Sequence, residues 1–325
     1  MTNRSIPTPE KLTICFAHVA YHLELIFASR QTNLRNFQVW TAADLAARLP
    51  EADVLVISGL WQNDLLDCAP RLRFIQSIGA GIEQFDLDAL RQRGIRLATA
   101  SGVNSNAVSE HAMALVLALA RHIHTGRDRQ NRREWRGMIG DLSLREDELG
   151  GKTLLIVGPG KIGGRLARLA KAFDMRVLAT KRNPAAVAGV DAVHPPEALP
   201  ALLPQADFVA LTCPLTPQTD KLIDAAAFAK MKESAYLINV ARGGCVDEPA
   251  LLAALESGTI AGAGIDHFWD EPLPQDSPFW ALENLLITPH SGGETRMYEE
   301  NLLDILLENL GRLWRGEAEL VNQVE

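Results

Sequence analysis

Three residues in the second half of the chain carry side chains suited to proton transfer at a carbonyl that stands beside a carboxylate. They are Arg242 in "INVARGG", Glu271 in "GIDHFWDEP" and His290 in "TPHSGG". A guanidinium presents a planar fork of donors that holds a carboxylate and polarises the neighbouring carbonyl. Histidine is the side chain whose ordinary pKa best suits donation near neutrality. A carboxylate beside it orients the ring and favours its charged, acid form. Arg242 is therefore read as substrate-binding, His290 as the acid/base and Glu271 as the group that tunes His290. A lone histidine is usually structural, so this reading depends on what the rest of the chain places around it.

Each of the three follows an apolar run, and such runs recur along the chain: 12–16, 52–58, 72–78, 153–158, 175–180, 206–212, 235–240, 260–266 and 284–288. Near-continuous apolar strands separated by helical patterns indicate parallel sheets covered on both faces. The expected class is α/β, wound more than once. In such sheets ligands lie beyond the carboxyl ends of the strands, which is where all three residues fall. Two long helical patterns, one over 105–124 and one over 298–316, stand near the expected domain crossings. Asn104 or Ser105 is the expected cap of the first, with Glu110 complementing its positive end.

The segment "TLLIVGPGKIGGRLARLAKAFDMRVLATKRNP" predicts a dinucleotide site. Gly158, Gly160 and Gly163 close an apolar strand and open a helical pattern, the context in which a glycine-rich turn cradles a pyrophosphate at a helix N-terminus. A site for NAD(H) ordinarily ends the next strand on an acid that accepts from the ribose hydroxyls. Here Lys181 stands in that place, with Thr180 before it and Arg182 after it. Two cations suit a 2′-phosphate, so the pattern favours NADP(H), with NAD(H) as the alternative.

Bulk properties exclude other classes. A formal charge of −8 disfavours a nucleic-acid partner. No apolar run reaches the length of a membrane span, the longest being "AMALVLALA". The polar, proline-bearing "MTNRSIPTPEK" lacks the apolar core of a secretory signal, so a cytoplasmic location is expected. The four cysteines show no metal-ligand spacing and are read as free thiols, with no metal.

"ELGGKTLLIVGPGKIG", "CPLTPQT", "INVARGGCVDEPAL" and "DEPLPQDSPFWALENLLITPHSGG" resemble, in this order, successive signatures of the D-isomer-specific 2-hydroxyacid dehydrogenase family, and "SIGAGIEQFD" resembles its substrate loop. The resemblance runs from about residue 50 onward. It implies a Rossmann dinucleotide-binding domain (104–292) inserted into a flavodoxin-like substrate domain (1–103 and 293–325), both doubly wound. It implies an NAD(P)-dependent oxidoreductase that interconverts small 2-oxo and D-2-hydroxy acids, with glyoxylate and hydroxypyruvate as first candidates. The dinucleotide would meet Gly158, Pro159, Gly160, Lys161 and Ile162, then Thr180, Lys181 and Arg182. Through the later motifs it would meet Cys213, Pro214, Thr219, Val240, Ala241, Asp266, His290 and Gly292. The substrate would meet Ile78, Gly79, Ala80 and Gly81, whose amides suit a carboxylate, together with Arg242 and His290.

Some branches of the family fit poorly. Formate dehydrogenases have glutamine where Glu271 stands, phosphite dehydrogenases a lysine where Ala80 stands, and phosphoglycerate dehydrogenases often continue into a regulatory domain, whereas this chain stops at Glu325. Corepressors of the C-terminal-binding-protein type, which share the site but act chiefly as dinucleotide-responsive binding modules, remain the alternative. A homodimer is expected by the same resemblance, through the helix at 105–124 and the segment "RREWRG". His111, His122 and His124 are read as packing or capping residues, and His267, where the family more commonly has an apolar residue, as an unremarkable neighbour of the site, with contact to cofactor or the domain interface as the alternative. Trp61, Trp135 and Trp280 are read as packing residues or as the mouth of the substrate pocket.

Overall fold

The structure is a computed structural model that describes residues 6–324; the first five residues of the polar opening and Glu325 lie outside the described residues. The chain divides into two compact units, one formed by the segment up to Asn104 together with Thr295 onward, the other by Ser105–Glu294.

The first unit is built on β1 (Thr13–Ala17), β2 (Arg35–Val39), β3 (Val54–Ile57), β4 (Phe74–Ser77) and β5 (Arg96–Ala98), with helices α1 (Leu23–Ser29), α2 (Ala42–Arg48) and α3 (Leu87–Arg93) between them. All pairings are parallel, in the order β2-β1-β3-β4-β5. "VLVI" of β3 is buried at every position because it lies in the middle of a sheet covered on both faces.

The second unit opens with α4 (Ser105–Ala120) and α5 (Ile123–Arg132). Its sheet comprises β6 (Thr153–Val157), β7 (Arg176–Thr180), β8 (Ala192–His194), β9 (Phe208–Leu211), β10 (Tyr236–Asn239), β11 (Gly262–Ile265) and β12 (Leu285–Ile287). Helices α6 (Lys161–Ala172), α7 (Leu199–Leu202), α8 (Ala225–Phe228) and α9 (Glu248–Glu256) connect them. The order is β12-β11-β10-β9-β6-β7-β8, again parallel throughout. The α/β class with two parallel sheets is thus as expected. One face of this sheet is covered by α4 and α6, whose Leu115, Val116, Leu119 and Leu166 are almost wholly buried.

The last helix, α10 (Tyr298–Arg315), returns to the first unit. Leu302, Leu303, Leu306 and Leu310 recur at helical spacing and are fully buried. At about 2 kcal/mol for each buried leucine, this face contributes on the order of 8 kcal/mol to holding the C-terminal segment in place. Asn309 on the same face is also fully buried; its amide donates to Gln76 Oε1 at 3.1 Å and its oxygen accepts from the Val321 amide at 2.7 Å.

The helix expected over 105–124 is two helices. It ends at Ala120, and His122 adopts the left-handed conformation (φ 50°) that turns the chain into α5. Ser105 does not cap it, for its hydroxyl is buried without a hydrogen-bond partner. Glu110 instead pairs with Arg165 of α6, to which Asn106 also accepts. Three strands, β2, β5 and β8, were not among the apolar runs. Each lies at a sheet edge, where one neighbour suffices and polar residues are tolerated.

Candidate functional site

Arg242 sits in the loop after β10, and the residue that shapes this loop is the buried Asn239 at the strand end. Asn239 accepts from the Ala241 amide at 3.0 Å and donates to the Arg242 carbonyl at 3.0 Å, closing a tight turn that leaves the guanidinium exposed. Gly243 then passes directly over the segment after β11: a Cβ there would stand 2.1 Å from the Phe268 carbonyl carbon. Only glycine permits that approach, and it brings the Arg242 loop against the segment bearing Glu271.

Glu271 is anchored by its own loop, with Oε1 accepting from the Phe268 amide at 3.1 Å. Its other oxygen, Oε2, lies 2.6 Å from His290 Nδ1, a short charge-assisted contact. The His290 backbone is left-handed (φ 53°), which is uncommon for a residue with a Cβ and tends to mark functional positions. Two bonds hold it there, from the His290 amide to the Asp266 and Thr288 carbonyls, both at 3.0 Å. The imidazole is half exposed, so its second nitrogen remains open to a ligand.

Beneath His290 lies a polar platform that residue spacing did not reveal. The Asp266 carboxylate, almost fully buried, accepts from the Thr288 hydroxyl at 2.6 Å and from the Ser291 and Gly292 amides at 3.0 and 3.1 Å. His111 of α4 adds Nε2 at 2.9 Å from the Thr288 hydroxyl, so it anchors the histidine loop rather than merely packing. His267 was read as unremarkable, yet its ring meets His290 edge-on with centroids 3.8 Å apart. Its Nδ1 lies 3.6 Å from Glu271 Oε1 and its Nε2 3.6 Å from Asp266 Oδ2. Burial, joined by the adjacent His290, pushes the His267 pKa down to about 4, which favours the neutral ring.

Other predicted residues fall as follows. Val240, Ala241 and Cys213 are buried, and the Thr219 hydroxyl closes its own loop on the Pro214 carbonyl at 2.7 Å. Gly292 is packed against Asp266 and His111. Ile78 is buried at the end of β4 in the first unit, with Gly79 and Gly81 partly exposed and Ala80 exposed beyond it. Trp61 packs on Phe85, whereas Trp135 is fully exposed and Trp280 half exposed.

The glycine-rich turn fits a dinucleotide. A Cβ on Gly163 would stand 2.5 Å from Thr212 Oγ1 and 2.8 Å from the Gly158 carbonyl, so here α6 packs directly on the sheet. On Gly160 a Cβ would meet nothing nearer than 4.0 Å, leaving backbone open to a ligand. Gly160 caps α6 without any side-chain bond to its first amides, as an anion-binding helix end requires. Pro159 is buried under this turn, while Lys161 is exposed and Ile162 half-buried at the start of the helix. Thr180 is buried at the end of β7, followed by the half-buried Lys181 and exposed Arg182; neither cation has an acidic partner among the described residues.

Residues 113–292 match the sequence pattern described as D-isomer specific 2-hydroxyacid dehydrogenase, NAD binding domain. The chain belongs to the D-isomer specific 2-hydroxyacid dehydrogenase family. As a member of that family it is an oxidoreductase of 2-hydroxy acids that works with a nicotinamide dinucleotide. It is 42% identical over 271 residues to a glyoxylate/hydroxypyruvate reductase B of Yersinia pestis (strain Pestoides F), covering 82% of each chain. A D-isomer specific 2-hydroxyacid dehydrogenase family protein from Aeromonas salmonicida superposes with a TM-score of 0.85 at 32% identity, over 97% of this chain and 99% of that one. An NADPH-dependent glyoxylate/hydroxypyruvate reductase from Sinorhizobium meliloti, solved with NADP and sulfate, gives a TM-score of 0.81 at 26% identity, over 97% and 98% of the two chains. No helix among the described residues of this dehydrogenase is long and apolar enough to cross a membrane.

Proposed function

We propose that this dehydrogenase is an NADPH-preferring reductase of small 2-oxo acids, glyoxylate or hydroxypyruvate among them. The observation that carries the reading is the Glu271–His290 pair, held at 2.6 Å on a strained backbone with one imidazole nitrogen left open. The unit spanning 105–294 would hold the dinucleotide through the turn at Gly158–Gly163; in the first unit, taken by itself, the amides of Gly79, Ala80 and Gly81 suit a carboxylate. Lys181 and Arg182, without acidic partners among the described residues, supply the charge that a 2′-phosphate requires. The names of the relatives from Yersinia pestis and Sinorhizobium meliloti support both the substrate class and, for the second, the phosphorylated cofactor.

The bound nicotinamide supplies the hydride. Arg242 holds the substrate carboxylate and polarises the carbonyl, and His290 delivers a proton to the oxygen as negative charge develops on it. Glu271 positions the ring and stabilises its charged form before donation. The decisive assay follows absorbance at 340 nm with NADPH and then NADH against glyoxylate, hydroxypyruvate, pyruvate and phenylpyruvate. Faster oxidation of NADPH with the smaller acids is expected. A protein that binds dinucleotide yet oxidises neither cofactor would refute the reading and return the binding-module alternative.

A homodimer is part of the proposal, its contact surface narrowed from α4 and the segment "RREWRG" to that segment and the residues after it. The apolar stripe of α4 is internal core, whereas Trp135, Met138 and Leu142 after α5 are between 76% and 102% exposed. Clustered large apolar side chains at that exposure mark an interface. Light scattering should give twice the chain mass, and Trp135→Asp with Met138→Asp should give the single mass. The four free thiols, three of them buried, accord with a cytoplasmic location.

A further inference from the structure

His267 is not needed for the proton transfer described above, yet it completes a second constellation with the residues that are. Its Nδ1 faces Glu271 Oε1 at 3.6 Å, and Glu271 Oε2 faces His290 Nδ1 at 2.6 Å. One ligand atom from each of His267, Glu271 and His290 lies within 4.8 Å of the other two. Donors on a four-coordinate zinc ion stand about 3.3 Å apart, given bonds near 2.0–2.1 Å, so the two observed spacings bracket the required one. Two imidazoles and one carboxylate are also a donor set that zinc favours.

An independent feature points the same way. Metal-binding histidines ordinarily turn their second ring nitrogen toward a carboxylate, which sets the tautomer and fixes the ring. His267 Nε2 faces the buried Asp266 Oδ2 at 3.6 Å, leaving Nδ1 on the Glu271 side. Asp266 is itself held by Thr288 and two backbone amides, so this support is rigid. The half-exposed His290 gives a cation a route in from solvent.

We propose that His267, Glu271 and His290 form an inhibitory site for a divalent transition cation, zinc above all. The cation takes His267 Nδ1, a Glu271 oxygen and His290 Nδ1, and the proton shared by Glu271 and His290 leaves to solvent. It thereby occupies the nitrogen through which Glu271 positions His290, and His290 can no longer complete transfer to the substrate oxygen. The inhibitory consequence rests on the reading of His290 as the acid; the cation site itself does not.

The test therefore has two arms. In the first, cobalt(II) is titrated into the full-length protein and its visible d–d absorption is followed for wild type, His267→Val and His267→Gln. The wild type should saturate at one equivalent, and both variants should bind at least about 10- to 100-fold more weakly, the loss typical when metal-site support is removed. In the second, zinc is added to the NADPH-oxidation assay, each protein being referred to its own uninhibited rate. Wild-type turnover should be suppressed and restored by EDTA, with half-inhibition displaced upward in both variants by the same factor as cobalt binding. Equal cobalt affinity in wild type and variants, or a thiolate charge-transfer band from a site at the exposed Cys68, would overturn the site. Cobalt binding that depends on His267 while zinc leaves turnover untouched would overturn the inhibitory role and count against the His290 assignment.

Discussion

The loop at 78–81, which its resemblance to a substrate loop leads us to expect at the substrate, is tied to a residue more than two hundred positions away, and Tyr298→Phe tests how much that tie matters. Tyr298 is the first residue of α10, 8% exposed, and its hydroxyl donates to the Ile78 carbonyl at 2.7 Å. Burial raises the phenol pKa well above its ordinary value, so the hydroxyl remains a donor throughout the working range. Phenylalanine keeps the ring, which packs against Tyr21 with centroids 5.1 Å apart, and removes only the bond. A net hydrogen bond is worth about 1 kcal/mol, and an unsatisfied buried carbonyl costs about 1–3 kcal/mol, so a loss of about 1–2 kcal/mol in stability is expected. The loop retains two other ties, from the Ile78 amide to the Ile57 carbonyl at 2.9 Å and from the Ala100 amide to the Gly79 carbonyl at 3.0 Å. Only part of the loss should therefore reach the substrate. Since 1.4 kcal/mol is tenfold in binding, KM for the 2-oxo acid should rise about two- to tenfold with kcat much less affected. Urea denaturation and steady-state kinetics on the same preparation measure both. An unchanged midpoint together with unchanged KM would refute the claim that α10 positions the loop.

Four further outcomes are expected. Lys181→Asp with Arg182→Ala should lower the NADPH-to-NADH ratio of kcat/KM by at least about tenfold, because a carboxylate repels the 2′-phosphate and accepts from ribose hydroxyls instead; an unchanged ratio would show that these cations are only solvated surface charge. Gly163→Ala should destabilise the protein by about 1–3 kcal/mol, since its methyl meets Thr212 and the Gly158 carbonyl. Gly160→Ala should leave thermal unfolding nearly unchanged and weaken dinucleotide binding, and equal melting temperatures for the two variants would contradict the different roles assigned to these glycines. His290→Ala should lower kcat by about 10²–10⁴-fold while dinucleotide fluorescence still reports binding, and near-normal turnover would remove His290 from the mechanism.

The α/β class was legible because both central layers are made of unbroken apolar runs, and that pattern survives without any knowledge of which strand pairs with which. The edge strands β2, β5 and β8 were not legible: "RNFQV" and "AVH" have one sheet neighbour each, and sequence carries little signal where burial demands little. The break at Arg121–His122 was hidden for a related reason. Helical periodicity runs through it, and only the left-handed backbone at His122 marks where one helix stops and the next begins.

In the site the division is similar. Arg242, Glu271, His290 and the glycine-rich turn announce themselves because each is a chemical type at the end of a strand, and local spacing is enough to find them. The sequence by itself thus determined the fold class and the kind of cofactor, and it pointed to the side chains proposed to react. What only the tertiary structure decided is how those side chains are supported. Asp266 gathers Thr288, Ser291 and Gly292 beneath His290, Gly243 brings the arginine loop onto Phe268, and Tyr298 reaches back to Ile78. His267 passed as a neighbour in the chain and proved to face both Glu271 and His290 in space. The physical reason is that hydrogen bonds and close approaches depend on positions to within a few tenths of an ångström, set by the packing of whole sheets and helices, whereas burial and charge leave a periodic mark on the chain itself.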